Sequence, residues 1–442
     1  MSAPLPGPWK VLSDPDGLST PFYVIPFDRN GVCTGPQTLD QLVEASTGCT
    51  DVFVFSHGWN NDWDAATKRY EDFATEFTHA RRKAWRPPKR DYKPLLAGVF
   101  WPSTSLVLPW EQPPQIAGGP PRDPDEVAAL AEDLSPQQAV RLRELAGSGT
   151  LDRDQAAELA AIVAPLLGGQ DDELDPGTQA PTADELLKVW QETPGEAEPR
   201  TDGGFIDDTA DDTAIDTAAG GPQVAGFLDR FDPRDLIRGA TVLLMKDRAG
   251  RVGATGVATM LRRLIDASPD SRVHLVGHSY GGKVVLSGLC HGDAPGRPVD
   301  SVLLLQPAMS CLCFASNVDG TGRPGGYRPA LDRSRGPIVT TFSPQDRPLT
   351  KYFHWAVRRP SDLGEAVIAG APPSRYAALG GYGPHGAEPD TETLAARQMP
   401  QRYGFTATGK RIVAIDGTKL ISGHGDVTNP ATAWALLNQV ME

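Results

Sequence analysis

Cysteine is scarce in this chain. Five residues out of 442 (Cys33, Cys49, Cys290, Cys311 and Cys313) are too few and too scattered for a disulfide framework. Cys311 and Cys313 lack zinc-type spacing and no histidine cluster completes them. All five therefore read as small buried apolar residues, and no metal is expected. Long hydrophobic runs are also missing: nothing approaches the roughly 20 apolar residues of a membrane span. The opening MSAPLPGPWK has no basic start followed by an apolar stretch, so no secretory leader is expected. A soluble, cytoplasmic protein is the expectation. Basic charge is in deficit too, with a formal net charge of −14. The deficit is local. Residues 111–235 hold 28 acidic and 8 basic side chains, a balance of −20, which leaves 34 basic and 28 acidic, or +6, on the rest. Such a segment repels nucleic acid and anionic membranes, so neither is expected as a partner.

What is present is an alternation of strand and helix patterns. PFYVIPFD (21–28), DVFVFS (51–56), PLLAGVFW (94–101), RVHLVG (272–277), SVLLLQ (301–306) and PIVTTF (337–342) are short apolar runs of strand length. QTLDQLVEA, 62–85, 281–290 and 429–441 carry helical spacing, and 234–267 reads as a helix broken at Gly250. RIVAIDGTKLI (411–421) suggests a hairpin turning on Asp416 and Gly417. From about 104 to 233 Pro, Asp, Gly and Ala dominate. Helices are expected there near 124–147, 152–167 and 182–192, and 201–222 reads as a mobile loop. The alternation predicts an α/β fold, a mostly parallel sheet flanked by helices. Residues 1–103 and 234–442 form the core, 104–233 a large, mainly helical insertion and candidate lid, and 351–408 a second, smaller insertion.

Within RVHLVGHSYGGKVVLSGL (272–289) a serine stands between glycines where a strand turns straight into a helix. A nucleophile at the end of a buried strand must project above the sheet. A sharp strained turn achieves this, with small residues two before and two after the serine, here Gly277 and Gly281 around Ser279. The turn also sets a helix N-terminus beneath the serine. The backbone N–H of Tyr280 then faces the charge of a tetrahedral intermediate. An ordinary serine in a glycine-rich turn is the alternative, which the strand–turn–helix context disfavours.

A serine hydroxyl needs a base, and the base needs an acid. TTFSPQDRPL offers Asp346 in the loop after a strand, and LISGHGDVTNP offers His424 between Gly423 and Gly425 before the last helix. Asp346 also suits a turn before Arg347 and Pro348. Asp426, close to His424 in sequence, is a supporting residue and a weaker acid candidate. His278, inside the turn, is a candidate for the substrate pocket. The loop FSHGWNN after the strand 51–56 offers a second oxyanion donor, Trp59 N–H, with Gly58 as the neighbour that shapes it.

At this point the residues resemble the α/β-hydrolase superfamily. FVFSHGWNN, GVFWPS, VHLVGHSYGG, FSPQDRPL and SGHGDV occur in its order, and HGWNN together with FWPS is most similar to a bacterial branch of unassigned hydrolases related to lipases and esterases. The resemblance covers about 20–103 and 234–442. It implies Ser279 as nucleophile, Asp346 as acid, His424 as base, the N–H groups of Tyr280 and Trp59 as oxyanion hole, and no cofactor. The insertion 104–233 departs from the common pattern, since many relatives carry the lid after the nucleophile helix.

The insertion opens with Leu106, Val107, Leu108 and Trp110, an apolar patch able to cover an active site or to pack the insertion onto the core. Trp110 and Tyr382, the latter on a glycine-rich loop, are candidate substrate contacts. The expected activity is hydrolysis of a carboxylic ester, of a small molecule or a lipid, through an acyl-enzyme. The alternatives are acyl transfer by the same triad, or a non-catalytic protein binding a partner through its acidic insertion.

Overall fold

The computed structural model describes residues 6–85, 92–103, 123–167, 182–192, 231–291, 295–318, 322–346, 349–350 and 377–442. The described strands form a single sheet: β1 (Lys10–Ser13), β2 (Ser19–Pro26), β3 (Asp51–Ser56), β4 (Pro94–Phe100), β5 (Arg272–His278), β6 (Ser301–Leu305), β7 (Ile338–Phe342), β8 (Thr391–Ala395) and β9 (Ile412–Asp416). In it the apolar runs are joined by two edge strands that no such run announces, β1 and β8. Their spatial order is β1-β2-β4-β3-β5-β6-β7-β9-β8. Only β1 with β2 is antiparallel.

The helices are α1 (Pro36–Ser46), α2 (Trp63–Ala84), α3 (Asp123–Ala131), α4 (Pro136–Ala146), α5 (Arg153–Val163), α6 (Ala183–Glu192), α7 (Pro233–Val252), α8 (Ala258–Ala267) and α9 (Tyr280–Cys290), with a short turn Leu379–Tyr382 and a last helix Pro430–Met441. No helix among the described residues is long and apolar enough to cross a membrane. Both faces of the sheet are covered, which is why β3 is buried at every position. Val52 and Val54 join the core under α1, α7, α8 and α9; Phe53 and Phe55 point the other way, to α2 and the last helix.

Four expectations need correction. Residues 124–147 are two helices, because Ser135 caps α4: its Oγ accepts from Gln138 N and its backbone N–H donates to Gln138 Oε1 in return. The helix from 233 runs through Gly250 and widens instead into a π-helical turn at Gly253–Val257. There α9 comes so near that a Cβ on Gly253 would lie 2.4 Å from Val284 O. No hairpin forms at Asp416-Gly417: β9 ends there and its neighbours β7 and β8 are both parallel to it. Finally, the expected second insertion is partly core, since its residues 391–395 form the edge strand β8.

The first insertion packs its helices α3 and α4 onto α7. Arg248 of α7, 1% exposed, donates to Pro102 O (3.1 Å) and faces Glu132 and Asp133 at 3.5 and 3.8 Å. Burial holds the Glu132 carboxyl above its ordinary value. The segments 104–122 and 193–230, with the apolar patch, Trp110 and the acidic run 201–218, lie outside the described residues.

At the amino end of the strands a polar cluster is sealed in the core. His274 bonds Ser301 Oγ through Nδ1 (2.8 Å) and Asp51 Oδ1 through Nε2 (3.1 Å). Arg272 meets the same carboxylate at 2.6 Å.

Candidate active site

β5 ends at His278 and α9 starts at Tyr280, so Ser279 must carry the whole reversal. Its backbone is at φ 55, ψ −126, a region that costs a non-glycine residue of order 1–3 kcal/mol. The packing around it demands the glycines. A Cβ on Gly277 would lie 2.6 Å from Gly281 O, and one on Gly281 only 2.1 Å from Ser56 O. Ser279 N–H donates to Leu305 O (3.0 Å), which ties the turn to the end of β6.

His424 lies in the loop between β9 and the last helix. Its Nε2 is 2.9 Å from Ser279 Oγ and its Nδ1 is 2.9 Å from Asp346 Oδ2. Asp346, after β7, is fully buried and also accepts from Leu349 N (3.1 Å) and Gln306 Nε2 (3.0 Å). Three residues separated by 67 and 78 positions in the chain are thus joined at one rim of the sheet. With the carboxylate accepting at Nδ1–H, the ring's Nε2 is left to accept from the serine hydroxyl. Asp426 does not take part: it accepts from Ser422 N and Oγ and from Asn429 Nδ2, and so closes the histidine loop on itself.

Two segments, 57–61 and 101–103, interlock beside Ser279. Tyr70 accepts from His57 N (2.8 Å) and donates to Val99 O (2.7 Å). Ser103 accepts from Asn60 N at its carbonyl (3.0 Å) and from Asn61 N at Oγ (3.1 Å). Trp101 stacks on the His57 ring at 5.4 Å and donates its backbone N–H to His57 Nε2 (3.3 Å). Burial pushes the His57 pKa down to about 4, so this ring is neutral and donates from Nδ1 to Gly58 O (2.8 Å). Asn61 Nδ2 donates to the same carbonyl (3.2 Å). In a trans peptide the C=O and the next N–H point in opposite directions. The two donors on Gly58 O therefore turn Trp59 N–H away from them. Gly58 itself allows contact: a Cβ there would lie 2.6 Å from Ser279 Cβ. Across the site Ser279 O accepts from Gly282 N (3.0 Å), which in the same way orients Tyr280 N–H outward from the helix start.

The substrate-pocket candidates fare differently. His278 is buried, and its Nε2 donates to the carbonyl of His424 (2.9 Å), so it holds the histidine loop rather than lining an opening. Burial keeps its pKa well below the ordinary value. Arg69 of α2 holds the next carbonyl, Gly425 O, at 3.3 Å. Tyr382 is at the surface, 39% exposed, with its hydroxyl on Thr350 O (3.1 Å). Trp110 falls outside the described residues.

The sequence reading missed His57, Tyr70, Ser103 and Gln306 as site residues. For His57 and Ser103 a signal existed in the quoted HGWNN and FWPS, which interlock; Tyr70 and Gln306 stand in ordinary helix and strand patterns. Among the described residues no three His, Cys, Asp or Glu side chains gather as metal ligands. Compared with protein-family models, curated proteins and solved structures, the chain finds no match.

Proposed function

We propose that this chain is a serine hydrolase of the α/β-hydrolase type that cleaves carboxylic esters. One observation supports the proposal above the others: a hydroxyl, an imidazole and a carboxylate joined by two 2.9 Å bonds, with the serine on a strained turn at a helix start. Ser279 Oγ attacks the ester carbonyl as His424 Nε2 takes its proton, and Asp346 stabilises the imidazolium. The oxyanion accepts from Tyr280 N–H and Trp59 N–H; one such donor is worth roughly 3–4 kcal/mol in the transition state. His424 then protonates the departing alcohol, leaving an acyl-serine. Water, deprotonated by the same ring, attacks that ester and frees the acid and Ser279.

A fluorophosphonate probe tests the chemistry. Wild type should label and Ser279→Ala should not; folded wild type that stays unlabelled refutes the proposal. Turnover of p-nitrophenyl esters of rising chain length then defines the acyl group.

A further inference from the structure

Among the described residues, only three non-glycine residues have positive φ: Asn60 (57°), Ser279 (55°) and Gln306 (43°). Asn60 lies in the loop after β3, and Ser279 and Gln306 directly follow β5 and β6; the three strands are neighbours in the sheet. Asn60 belongs to the oxyanion loop and Ser279 is the nucleophile. Strain of this kind persists where surrounding contacts over-determine a residue, and it gathers at functional sites. Gln306 has no role in the reaction as written above, yet it shares the strain.

Its side chain is completely buried and every polar group on it is engaged. Oε1 accepts from the Thr341 hydroxyl (2.9 Å). Its own backbone N–H donates to the same Thr341 oxygen (3.0 Å). Nε2 donates to Gly380 O (3.1 Å) and to Asp346 Oδ2 (3.0 Å). Thr341 on one side and Gly380 on the other leave the carboxamide a single orientation. That orientation delivers an N–H to the carboxylate oxygen that also accepts from His424 Nδ1. The close fit extends to the backbone, since a Cβ on Gly380 would lie 2.5 Å from the Gln306 carbonyl carbon.

We propose that Gln306 is a positioning residue, which fixes the rotation of the Asp346 carboxylate and through it aims the His424 ring at Ser279. This rests on the proposed triad. Gln306 touches neither substrate nor a reacting atom, and it moves no proton. It acts by denying the carboxylate other rotamers in which the bond to Nδ1 is lost.

Gln306→Met keeps length and bulk while removing the amide. We expect kcat on a p-nitrophenyl ester to fall about 10- to 100-fold, with KM held within about threefold. The low-field proton resonance of His424 Nδ1–H, assigned by its loss in His424→Ala, should broaden. A folded variant with wild-type kcat and a wild-type resonance overturns the proposal. If Gln306→Met does not fold, Thr341→Val frees the carboxamide without touching Asp346; the same changes at smaller size are expected, and unchanged values overturn the proposal. Should wild type turn over no ester, the proposed function is what fails, and the resonance still decides the role of Gln306. Wild type lacking that resonance also overturns it, because the bond Gln306 is held to orient would then be absent.

Discussion

At the carboxyl end of the strands Ser279, His424 and Asp346 are joined by bonds of 2.9 Å each, and at the amino end Ser301, His274 and Asp51 are joined by bonds of 2.8 and 3.1 Å. By hydrogen bonding alone the two sets are near equals, and only their surroundings separate them. Ser301 is the first residue of β6, opposite His274 in the ladder, in ordinary strand conformation with no helix start beside it. Ser279 is strained, set at the start of α9 and faced by the loop around Gly58. The rings are used in opposite senses: His274 turns Nε2 to its carboxylate, His424 turns Nδ1. The side chain of His274 is 1% exposed and that of His424 11%. A carboxylate that also meets Arg272 and Thr50 makes the amino-end set a closed polar network, which holds three strands together. On the proposed function, a Ser–His–Asp chain is no nucleophile by itself; the strained turn and the helix start beside Ser279 are what the amino-end set lacks.

The sharpest break in this symmetry is the serine. Ser279→Ala should lower ester turnover by about 10⁴- to 10⁶-fold, read by steady-state kinetics, while Ser301→Ala leaves kcat near wild type. Equal losses in the two would erase the distinction drawn here. The acids come next. Asp346→Asn is expected to reduce kcat by up to about 10⁴-fold and also to cost roughly 1–3 kcal/mol of stability, because both buried oxygens accept from N–H groups and one position becomes an NH2 facing a donor. Asp51→Asn should leave kcat near wild type while costing roughly 1–3 kcal/mol of stability, because His274 and Thr50 lose the charge on their shared acceptor. Urea titrations on both variants check this.

The pH dependence of stability sharpens the contrast further. Burial pushes the Asp51 pKa up, but hydrogen bonding and attraction to His274, then Arg272 and Thr50, outweigh it, so the net value lies below the ordinary 3.8. The folded carboxylate is thus the more acidic one. Its contribution is fully present above the ordinary value and is lost as pH falls through the lowered one. Between those two values the urea midpoint of wild type should fall with pH, and Asp51→Asn should flatten that slope; parallel slopes would count against the cluster as a source of acid sensitivity. The smallest effect concerns His278. His278→Leu removes the donor on His424 O and should lower kcat by roughly tenfold. His278→Gln restores an N–H of similar reach and should recover most of the loss; matching kcat values in the two variants would deny the bond its importance.

Much of this was legible in the chain, and the exceptions have physical causes. β3, β5, β6 and β7 read as strands because both faces of a parallel sheet are covered, so their runs are buried at nearly every position and mostly apolar. β1 and β8 are edge strands with mostly exposed residues, and no apolar run announces them. The Ser135-Pro136-Gln137-Gln138 cap was present in the sequence but lay inside one long helical pattern. The elbow at Ser279 was legible because it depends on near neighbours, Gly277 and Gly281. His278 was read as lining a pocket because sequence shows that it adjoins Ser279 but not which way its ring turns.

The core strands and most of their flanking helices, the reversal at Ser279 and the candidates Asp346 and His424 follow from the sequence by itself, since periodicity and tight turns are properties of residues a few positions apart. Only the tertiary structure decided that Asp346 rather than Asp426 holds the histidine, that Gln306 holds Asp346, and that a second Ser–His–Asp chain is sealed at the opposite end. Those pairings join positions tens to hundreds of residues apart, and strand order and register, not local pattern, bring such side chains within bonding distance.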